Sequence, residues 1–99
     1  MSTELHLVEA DKRDLEEARR IFALHGIAPV YLFGSMAKGD YDEHSDWDFA
    51  CHGIAAEDYL ELFGELYDRL RRRVDLVDLD RSDRFAKHLE ASGDFLRIA

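Results

Sequence analysis

The sequence predicts one small α/β domain of the α+β kind, in which helices pack on a mixed sheet of three to four strands. Its 99 residues suit a single domain spanning 1–99 with one modest core. Helical stripes of apolar residues alternate with short apolar runs of strand length. Pro29 is the only proline and the six glycines are scattered, so no linker or repeat divides the chain.

The chain is expected to begin with a helix. Residues 4–9 are expected to form either a short edge strand or an irregular lead-in. Asp11 is the expected N-cap of a helix that runs to about Leu24, and Gly26 is a suitable stop after it. The core-facing stripe of this helix falls at helical spacing and comprises Leu15, Ala18, Ile21, Phe22 and His25.

Three strands are expected further along. The apolar run 29–33 indicates a buried strand that ends at Gly34-Ser35, and 46–51 alternates as a second strand should. Between them, residues 36–45 are polar and turn-rich, with room for one helical turn at the start. Residues 74–79 form the expected third strand.

Two further helices are expected. The clearer one covers 56–72 and has an apolar stripe made of Tyr59, Leu62, Phe63, Leu66, Tyr67 and Leu70. A last helix is expected to start after Ser82 and to carry Phe85 and Leu89. Residues 93–98 then predict a turn and a further short element.

Composition argues against several classes of protein. The net charge of −9 disfavours non-specific binding to nucleic-acid phosphates, which needs a basic surface. A nucleotide substrate stays compatible with it, because bound metal ions invert the local charge. Cys51 is the one cysteine, so neither an internal disulfide nor a multi-cysteine zinc site is expected. This cysteine content predicts a cytoplasmic location. The expected absence of a signal peptide and of a membrane span points the same way.

Asp46 and Asp48 are the first candidate site residues. Because they lie two apart on a predicted strand, both carboxylates point to one face while Trp47 points toward the core. Two like charges side by side repel and raise the pKa of one carboxyl. A divalent cation between them makes the pair favourable, and Mg²⁺ prefers one or two carboxylates with waters and substrate phosphates.

Gly34-Ser35 supplies the second candidate element. A strand that ends in glycine lets the backbone approach a phosphate closely, since no side chain intrudes. If a helical turn begins at 36–38, its free N–H groups face the phosphates. Ser35 adds a hydroxyl and Lys38 a cation near the same turn.

These residues together resemble a known signature. Leu32-Phe33-Gly34-Ser35, followed after ten residues by Asp46-Trp47-Asp48, resembles the Gly-Ser, x10, Asp-x-Asp pattern of the DNA polymerase beta-like nucleotidyltransferase superfamily. Within it the chain resembles the minimal nucleotidyltransferases, the MNT antitoxins of HEPN/MNT toxin–antitoxin pairs. Ala37-Lys38-Gly39 is similar to that family's Ala-Arg-Gly, with lysine replacing arginine. Val74-Asp75-Leu76-Val77 is similar to its third-strand segment, which carries a third carboxylate.

Asp75, Asp78 and Asp80 compete for the third position. Strand alternation places Asp75 on one face, and Asp78 and Asp80 on the other. The resemblance implies Asp75, which would complete the metal site or take the proton from the attacking hydroxyl. The sequence does not separate those two roles.

The resemblance also implies the polymerase beta-like nucleotidyltransferase fold and a Mg²⁺-dependent protein adenylyltransferase. Asp46, Asp48 and Asp75 would be its catalytic and metal-binding residues, with two Mg²⁺ ions and ATP as co-substrate. Gly34, Ser35 and Lys38 would bind the nucleotide. In those pairs AMP passes to a tyrosine hydroxyl of the HEPN ribonuclease toxin and silences it, with no direct role for nucleic acid or membrane.

Two other functions stay open. The chain could instead be a non-catalytic antitoxin that neutralises its partner by contact. It could also be a nucleotidyltransferase acting on a small molecule, although such enzymes usually carry an extra helical domain over the acceptor. The short chain therefore favours a macromolecular acceptor.

The remaining candidates receive structural interpretations. His44 is expected to be a solvated loop residue and Cys51 a small buried one. Core positions are expected for Tyr59, Phe63 and Tyr67. A basic run at the end of the second long helix is expected to stabilise the helix C-terminus, with phosphate or partner binding as the alternative; it comprises Arg69, Arg71, Arg72 and Arg73.

Overall fold

The computed structural model describes residues 7–81, 83–93 and 95–99. It contains four helices, one 3₁₀ turn at Ala56–Asp58 and four strands within those ranges. The helices are α1 (Glu9–Leu24), α2 (Ser35–Lys38), α3 (Tyr59–Arg69) and α4 (Asp83–Ser92). The strands are β1 (Val30–Phe33), β2 (Trp47–Cys51), β3 (Val74–Asp78) and β4 (Phe95–Arg97).

The strands form one mixed sheet in the order β3-β2-β1-β4. Strand β1 runs antiparallel to both β2 and β4, whereas β2 and β3 run parallel. A parallel pair needs a long crossover, and α3 supplies it between β2 and β3. This architecture confirms the predicted α+β class and the predicted mixed sheet of three to four strands.

The larger part of the core lies on the sheet face that α1 and α3 cover. Trp47, Phe49 and Cys51 project from β2 into this core and are fully buried. Phe22 of α1 meets Phe49 edge-to-face at 5.4 Å between ring centroids. The predictions that Trp47 points toward the core and that Cys51 is buried are therefore confirmed.

The opposite face of the sheet carries a smaller apolar cluster. Ala50 of β2 packs there with Leu79 and with Leu89 of α4. Because strand residues alternate between faces, Asp48 projects on this same side as Ala50. The second face of the sheet is therefore shared by α4 and by the candidate acidic residues.

The start of α1 differs from the expectation. The helix begins at Glu9 with Val8 as N-cap, so the prediction that Asp11 caps it is wrong. Asp11 lies within the helix and is fully buried, because its carboxylate is used in an ion pair described below. The edge strand or lead-in expected at 4–9 falls largely outside the described residues, and within them Leu7 and Val8 are irregular.

The end of α3 also differs. The helix stops at Arg69, short of the predicted 72, so only Arg69 lies in its last turn. The prediction that Arg71 and Arg72 stabilise the helix C-terminus is wrong, because both lie in the following loop and pair with Asp11. Tyr67 is 52% exposed, against the predicted core position, since Leu66 takes the core-facing position beside it.

The C-terminal elements agree with the expectation. Helix α4 begins at Asp83, just after Ser82, and Leu89 is buried as predicted. The side chain of Phe85 lies outside what the structure describes, as does Ser82 itself. No helix in the described ranges has the length and apolar character needed to cross a membrane.

Candidate active site

Two aspartates face each other across the parallel pair of strands. Asp48 of β2 is the direct register partner of Asp75 of β3. Neighbouring strands lie about 4.8 Å apart, so the two side chains emerge next to each other on one face. Asp46 immediately precedes β2 and lies two residues from Asp48. The fold thus places Asp48 and Asp75 side by side, with Asp46 close enough for its charge to act on Asp48.

The environment of these carboxylates is unfavourable for their charge. Asp48 is partly buried, and its pKa is raised to about 6, first by desolvation and then by the charges of Asp75 and Asp46. Asp46 and Asp75 are exposed. No side-chain hydrogen bond or ion pair links any of the three to another residue within 7–81, 83–93 and 95–99. At neutral pH the cluster therefore carries mutually repelling negative charge.

Gly34 is fitted to the position next to Asp48. Phe33, the last residue of β1, pairs with Asp48, so the chain leaving β1 passes directly over that carboxylate. Gly34 has φ 76° and ψ −159°, a backbone conformation that side chains disfavour. A Cβ atom built there would lie 2.4 Å from Asp48 Oδ2. Both conformation and space require glycine at this point.

The chain after Gly34 forms a helical turn as predicted, but it begins at Ser35 rather than at 36, and two of the amides expected to be free are used within it. Helix α2 covers Ser35–Lys38, and the amides of Ala37 and Lys38 both donate to the Gly34 carbonyl at 3.1 Å. Met36 anchors the turn in the core, where it is fully buried. Ser35 therefore starts the turn beside Gly34, while Lys38 ends it with an exposed side chain.

The donor set is suited to a hard divalent cation. In the described part of the chain, no three His, Cys, Asp or Glu side chains converge tightly enough to form a complete metal cage. Mg²⁺ does not require one, because it keeps several waters and takes one or two carboxylates together with substrate phosphates. The mutual repulsion around Asp48 is the condition that a bound cation relieves. The residues present therefore fit Mg²⁺ presented with a nucleotide.

The other two candidates for the third carboxylate lie elsewhere. Asp78 pairs in register with Cys51, three positions along the sheet from Asp48, which is about 10 Å at strand spacing. Its Oδ1 accepts from the Asp80 amide at 3.0 Å. Asp80 in turn contacts His52 Nδ1 at 2.7 Å. Of the three candidates, Asp75 alone lies beside Asp48.

Two buried aspartates of α1 have partners that the sequence analysis did not predict. Asp14 accepts hydrogen bonds from Trp47 Nε1 at 3.0 Å and from the backbone amides of Arg71 and Arg72 at 3.1 and 3.3 Å. The carboxylate of Asp11 accepts hydrogen bonds from Nε and Nη2 of Arg72 at 2.8 and 3.1 Å. A signal existed in the sequence, since positions 11 and 14 continue the apolar stripe of the first helix toward its N-terminus.

His44 and Cys51 have the environments that the sequence predicts, an exposed loop and a buried strand position. His44 is exposed in the loop before Asp46, and its Nε2 lies 3.5 Å from Glu43 Oε1. Burial raises the pKa of the Cys51 thiol to about 12, with Asp78 and Asp80 adding to the shift. The thiol therefore stays protonated and is not a nucleophile at neutral pH.

Comparison with known proteins identifies the class of this domain. The family model described as polymerase beta, nucleotidyltransferase, matches residues 16–97. The chain belongs to this family, which confirms the superfamily inferred from the Gly-Ser and Asp-x-Asp pattern.

Solved structures share the fold. A chain described as a minimal nucleotidyltransferase is 26% identical, with a TM-score of 0.71 over 94% of this chain and 98% of that one. A toxin–antitoxin structure with AMP-PNP is 24% identical, with a TM-score of 0.69 over 86% of this chain and 72% of that one. A mutant MntA–HpeT toxin–antitoxin structure is 22% identical, with a TM-score of 0.65 over 93% and 73%. A comparison of the sequence with curated proteins found no significant match.

Proposed function

We propose that this chain transfers AMP from ATP to a tyrosine hydroxyl of a HEPN-family toxin and thereby silences it, in a Mg²⁺-dependent reaction. The observation that carries the proposal is the register pair of Asp48 and Asp75 beside Gly34. These carboxylates have no protein cation to neutralise them among the described residues, although one of them is partly buried. Such an arrangement is costly for a purely structural site and useful for one that binds a metal–nucleotide complex.

The proposed roles follow from position. Asp46 and Asp48 would hold Mg²⁺, with Asp75 as the third carboxylate. Bound Mg²⁺ supplies charge neutralisation for the phosphates. Gly34 and Ser35 would bind the triphosphate at the start of α2, where the glycine leaves the backbone open to a phosphate.

The reaction balances without a further reactant. The tyrosine oxygen attacks the α-phosphorus, and the bond from that phosphorus to the α–β bridging oxygen breaks. Pyrophosphate leaves with the bonding electrons, and the hydroxyl proton passes to a carboxylate or to water. Asp75 is exposed and next to Asp48, so it is suited either to ligate the metal or to accept that proton.

A protein acceptor agrees with the openness of the site. Asp46 and Asp75 are both exposed, so a large partner can reach the reacting centre from outside. The net charge of −9 suits a basic partner surface. Two of the chains that share this fold come from toxin–antitoxin structures, which is consistent with a toxin as acceptor.

The test uses α-labelled ATP, Mg²⁺ and the purified protein encoded by the neighbouring gene. Wild type is compared with the double variant Asp46→Asn, Asp48→Asn and with Asp75→Asn. Asp78→Asn is the matched control, because this carboxylate lies on the same strand as Asp75 but faces a turn and Arg81. We expect label transfer from wild type and Asp78→Asn, and a loss of about 10²-fold or more in the others.

Two results would overturn the proposal. Tight binding of the partner by wild type and the double variant alike, with no label transfer, would identify a non-catalytic antitoxin. Transfer to a small hydroxyl compound but not to the partner would identify a small-molecule enzyme.

A further inference from the structure

We propose that Arg72, held by the buried carboxylate of Asp11, is a positioning residue that fixes Asp46 for metal binding. The inference rests on the proposed metal-dependent function of Asp46. Arg72 belongs to the basic run after α3 and is remote in sequence from the Gly-Ser and Asp-x-Asp residues.

The guanidinium of Arg72 bridges two parts of the fold. Its Nε and Nη2 donate to the two carboxylate oxygens of Asp11 at 2.8 and 3.1 Å. Its Nη1 donates to the backbone carbonyls of Asp42 and Ser45 at 2.8 and 2.7 Å. The guanidinium also lies over the ring of Tyr41, 5.7 Å from its centroid. One side chain thus ties the first turn of α1 to the loop that leads into Asp46.

The loop between α2 and β2 has its own hydrogen bonds and is also held by Arg72. We call the contacts of the Arg72 guanidinium with Asp11, Asp42 and Ser45 the clamp. Asp42 Oδ1 accepts from the His44 amide at 2.8 Å, and the Asp42 amide donates to Ser45 Oγ at 3.0 Å. These local bonds shape the turn, while the bond from Arg72 to Ser45 fixes where the turn sits. Ser45 is the residue directly before Asp46, so its carbonyl sets the start of the Asp46 backbone.

The residue directly after Asp46 is fixed by the other buried aspartate. Trp47 Nε1 donates to Asp14 at 3.0 Å, and the Trp47 amide donates to the Arg73 carbonyl at 2.8 Å. Both chain neighbours of Asp46 are therefore held through α1. Asp46 itself is exposed and is repelled by Asp48, so its position depends on these two supports.

Stability alone is a weak explanation for the clamp. Burying an ion pair costs desolvation, and replacing such a pair with apolar side chains is often neutral or stabilising. Arg72 is 10% exposed and Asp11 is fully buried, so the pair bears that cost. A guanidinium has the fork to serve a carboxylate and two carbonyls at once, which an ammonium cannot do. The geometry suits a residue that would fix the position of a metal ligand without itself binding the metal.

The test measures binding of Mn²⁺ in the presence of AMP-PNP, followed by the paramagnetic signal of the free ion at low temperature. Arg72→Lys is compared with Arg71→Gln, the matched control. Arg71 also contacts Asp11, at 3.1 Å, but no hydrogen bond from its side chain reaches the 41–45 loop within the described residues. Fluorescence of Trp47, the one tryptophan, reports whether each variant keeps its folded core.

We expect Arg72→Lys to weaken Mn²⁺ binding roughly 10-fold, within the range known for outer-shell variants, and Arg71→Gln to leave it unchanged. The decisive step combines Arg72→Lys with Asp46→Asn. If Arg72 acts through Asp46, adding the lysine to the Asp46→Asn background weakens binding no further. If Arg72→Lys does not fold, Tyr41→Leu takes its place in the same cycle, because it removes the ring beside the guanidinium.

The inference is overturned if Arg72→Lys binds Mn²⁺ as tightly as wild type does, or if its effect adds fully to that of Asp46→Asn. If Arg71→Gln weakens Mn²⁺ binding as much as Arg72→Lys does, the ion pairs of Asp11 have only a general role in folding, and the inference is again overturned. The proposed function fails separately: wild type would bind Mn²⁺ and AMP-PNP normally but transfer no AMP. Failure of wild type to bind Mn²⁺ at all would overturn both.

Discussion

Two pairs of aspartates in this small domain have opposite environments. On α1, Asp11 and Asp14 are buried, and each accepts several hydrogen bonds from the loop that follows α3. At the sheet, Asp48 and Asp75 lie side by side without a protein cation among the described residues. The Arg72 guanidinium holds the pKa of Asp11 below its usual value, whereas burial and neighbouring carboxylates raise that of Asp48 to about 6.

The difference shows that the hydrogen-bond and ionic partners of a carboxylate indicate its role better than its burial does. The carboxylates of the α1 pair are already bound within the chain, Asp11 by Arg72 and Asp14 by hydrogen bonds from Trp47 Nε1 and backbone amides. The sheet pair has no cationic partner among the described residues, in agreement with the proposed binding of a metal–nucleotide complex. Opposite effects on stability are therefore expected when each pair is mutated.

The largest effect is expected at α1. Asp11→Ala leaves the guanidinium of Arg72 buried without its carboxylate, and breaking a buried ion pair typically costs about 3–5 kcal/mol. Urea unfolding at pH 7 measures the loss. Glu16→Ala, on the same helix but at a surface ion pair, serves as control and should stay close to wild type. Equal stability of the two variants would mean that the buried pair has no structural role.

The next effect concerns the contact between Gly34 and Asp48. Gly34→Ala forces a side chain into a disfavoured backbone conformation and against Asp48 Oδ2, so we expect a loss of about 1–3 kcal/mol. Binding of Mg²⁺ with AMP-PNP should be lost as well, because Asp48 must move. The control is Gly64→Ala in α3, where an added Cβ meets nothing within 4 Å and helix propensity favours alanine by about 1 kcal/mol. Nucleotide binding that survives Gly34→Ala would show that the close approach of Gly34 to Asp48 is not needed for the nucleotide.

The Asp48 carboxyl is expected to change stability in the opposite direction. Asp48→Asn removes a partly buried charge, so in EDTA at pH 7 the variant should be more stable than wild type by about 1–2 kcal/mol, because each pKa unit corresponds to about 1.4 kcal/mol and solvent screening reduces the effect of a partly exposed group. The pKa of Asp48 in the folded protein lies above the unfolded value of 3.8, so the folded state binds the proton more tightly. The free energy of unfolding of wild type therefore falls as the pH rises from about 4 to 6 and Asp48 ionises. The gain in the variant should therefore shrink from pH 7 to pH 5. A gain that does not depend on pH would have another cause.

The smallest effect is expected at Asp75. This carboxylate is exposed, so Asp75→Asn should stabilise the metal-free protein by only a few tenths of a kcal/mol, through relief of repulsion with Asp48. Combined with Asp48→Asn it should add almost nothing, because the repulsion is already gone. Thermal unfolding of the four proteins in EDTA measures this coupling. Full additivity would show that the two carboxylates do not interact.

Much of the fold and of the candidate site could be predicted from local patterns. Alternation around Trp47 correctly assigned faces on β2, and the Gly34-Ser35 turn was recognisable because glycine and turn signals are local. The ends of α1 and α3 were not, since each depends on a distant partner. Asp11 resembles an N-cap in sequence, but its actual partner, Arg72, is 61 residues away.

The register between β2 and β3 was also beyond local patterns. Alternation alone assigned Asp75 and Asp78 to different faces, but it did not tell which one lies beside Asp48. That choice depends on how two strands separated by α3 align, which tertiary packing decides. The same packing leaves Tyr67 exposed although it falls at helical spacing with core residues.

We propose that a bound cation neutralises the sheet carboxylates, which have no cationic partner among the described residues. The most direct test is the shift in unfolding midpoint on replacing EDTA with Mg²⁺ and AMP-PNP, measured for wild type and Asp48→Asn. We predict that Asp48→Asn is the more stable protein in EDTA and that the ligands stabilise only wild type. If the ligands stabilise both proteins equally, or if Asp48→Asn is less stable in EDTA, the claim is contradicted.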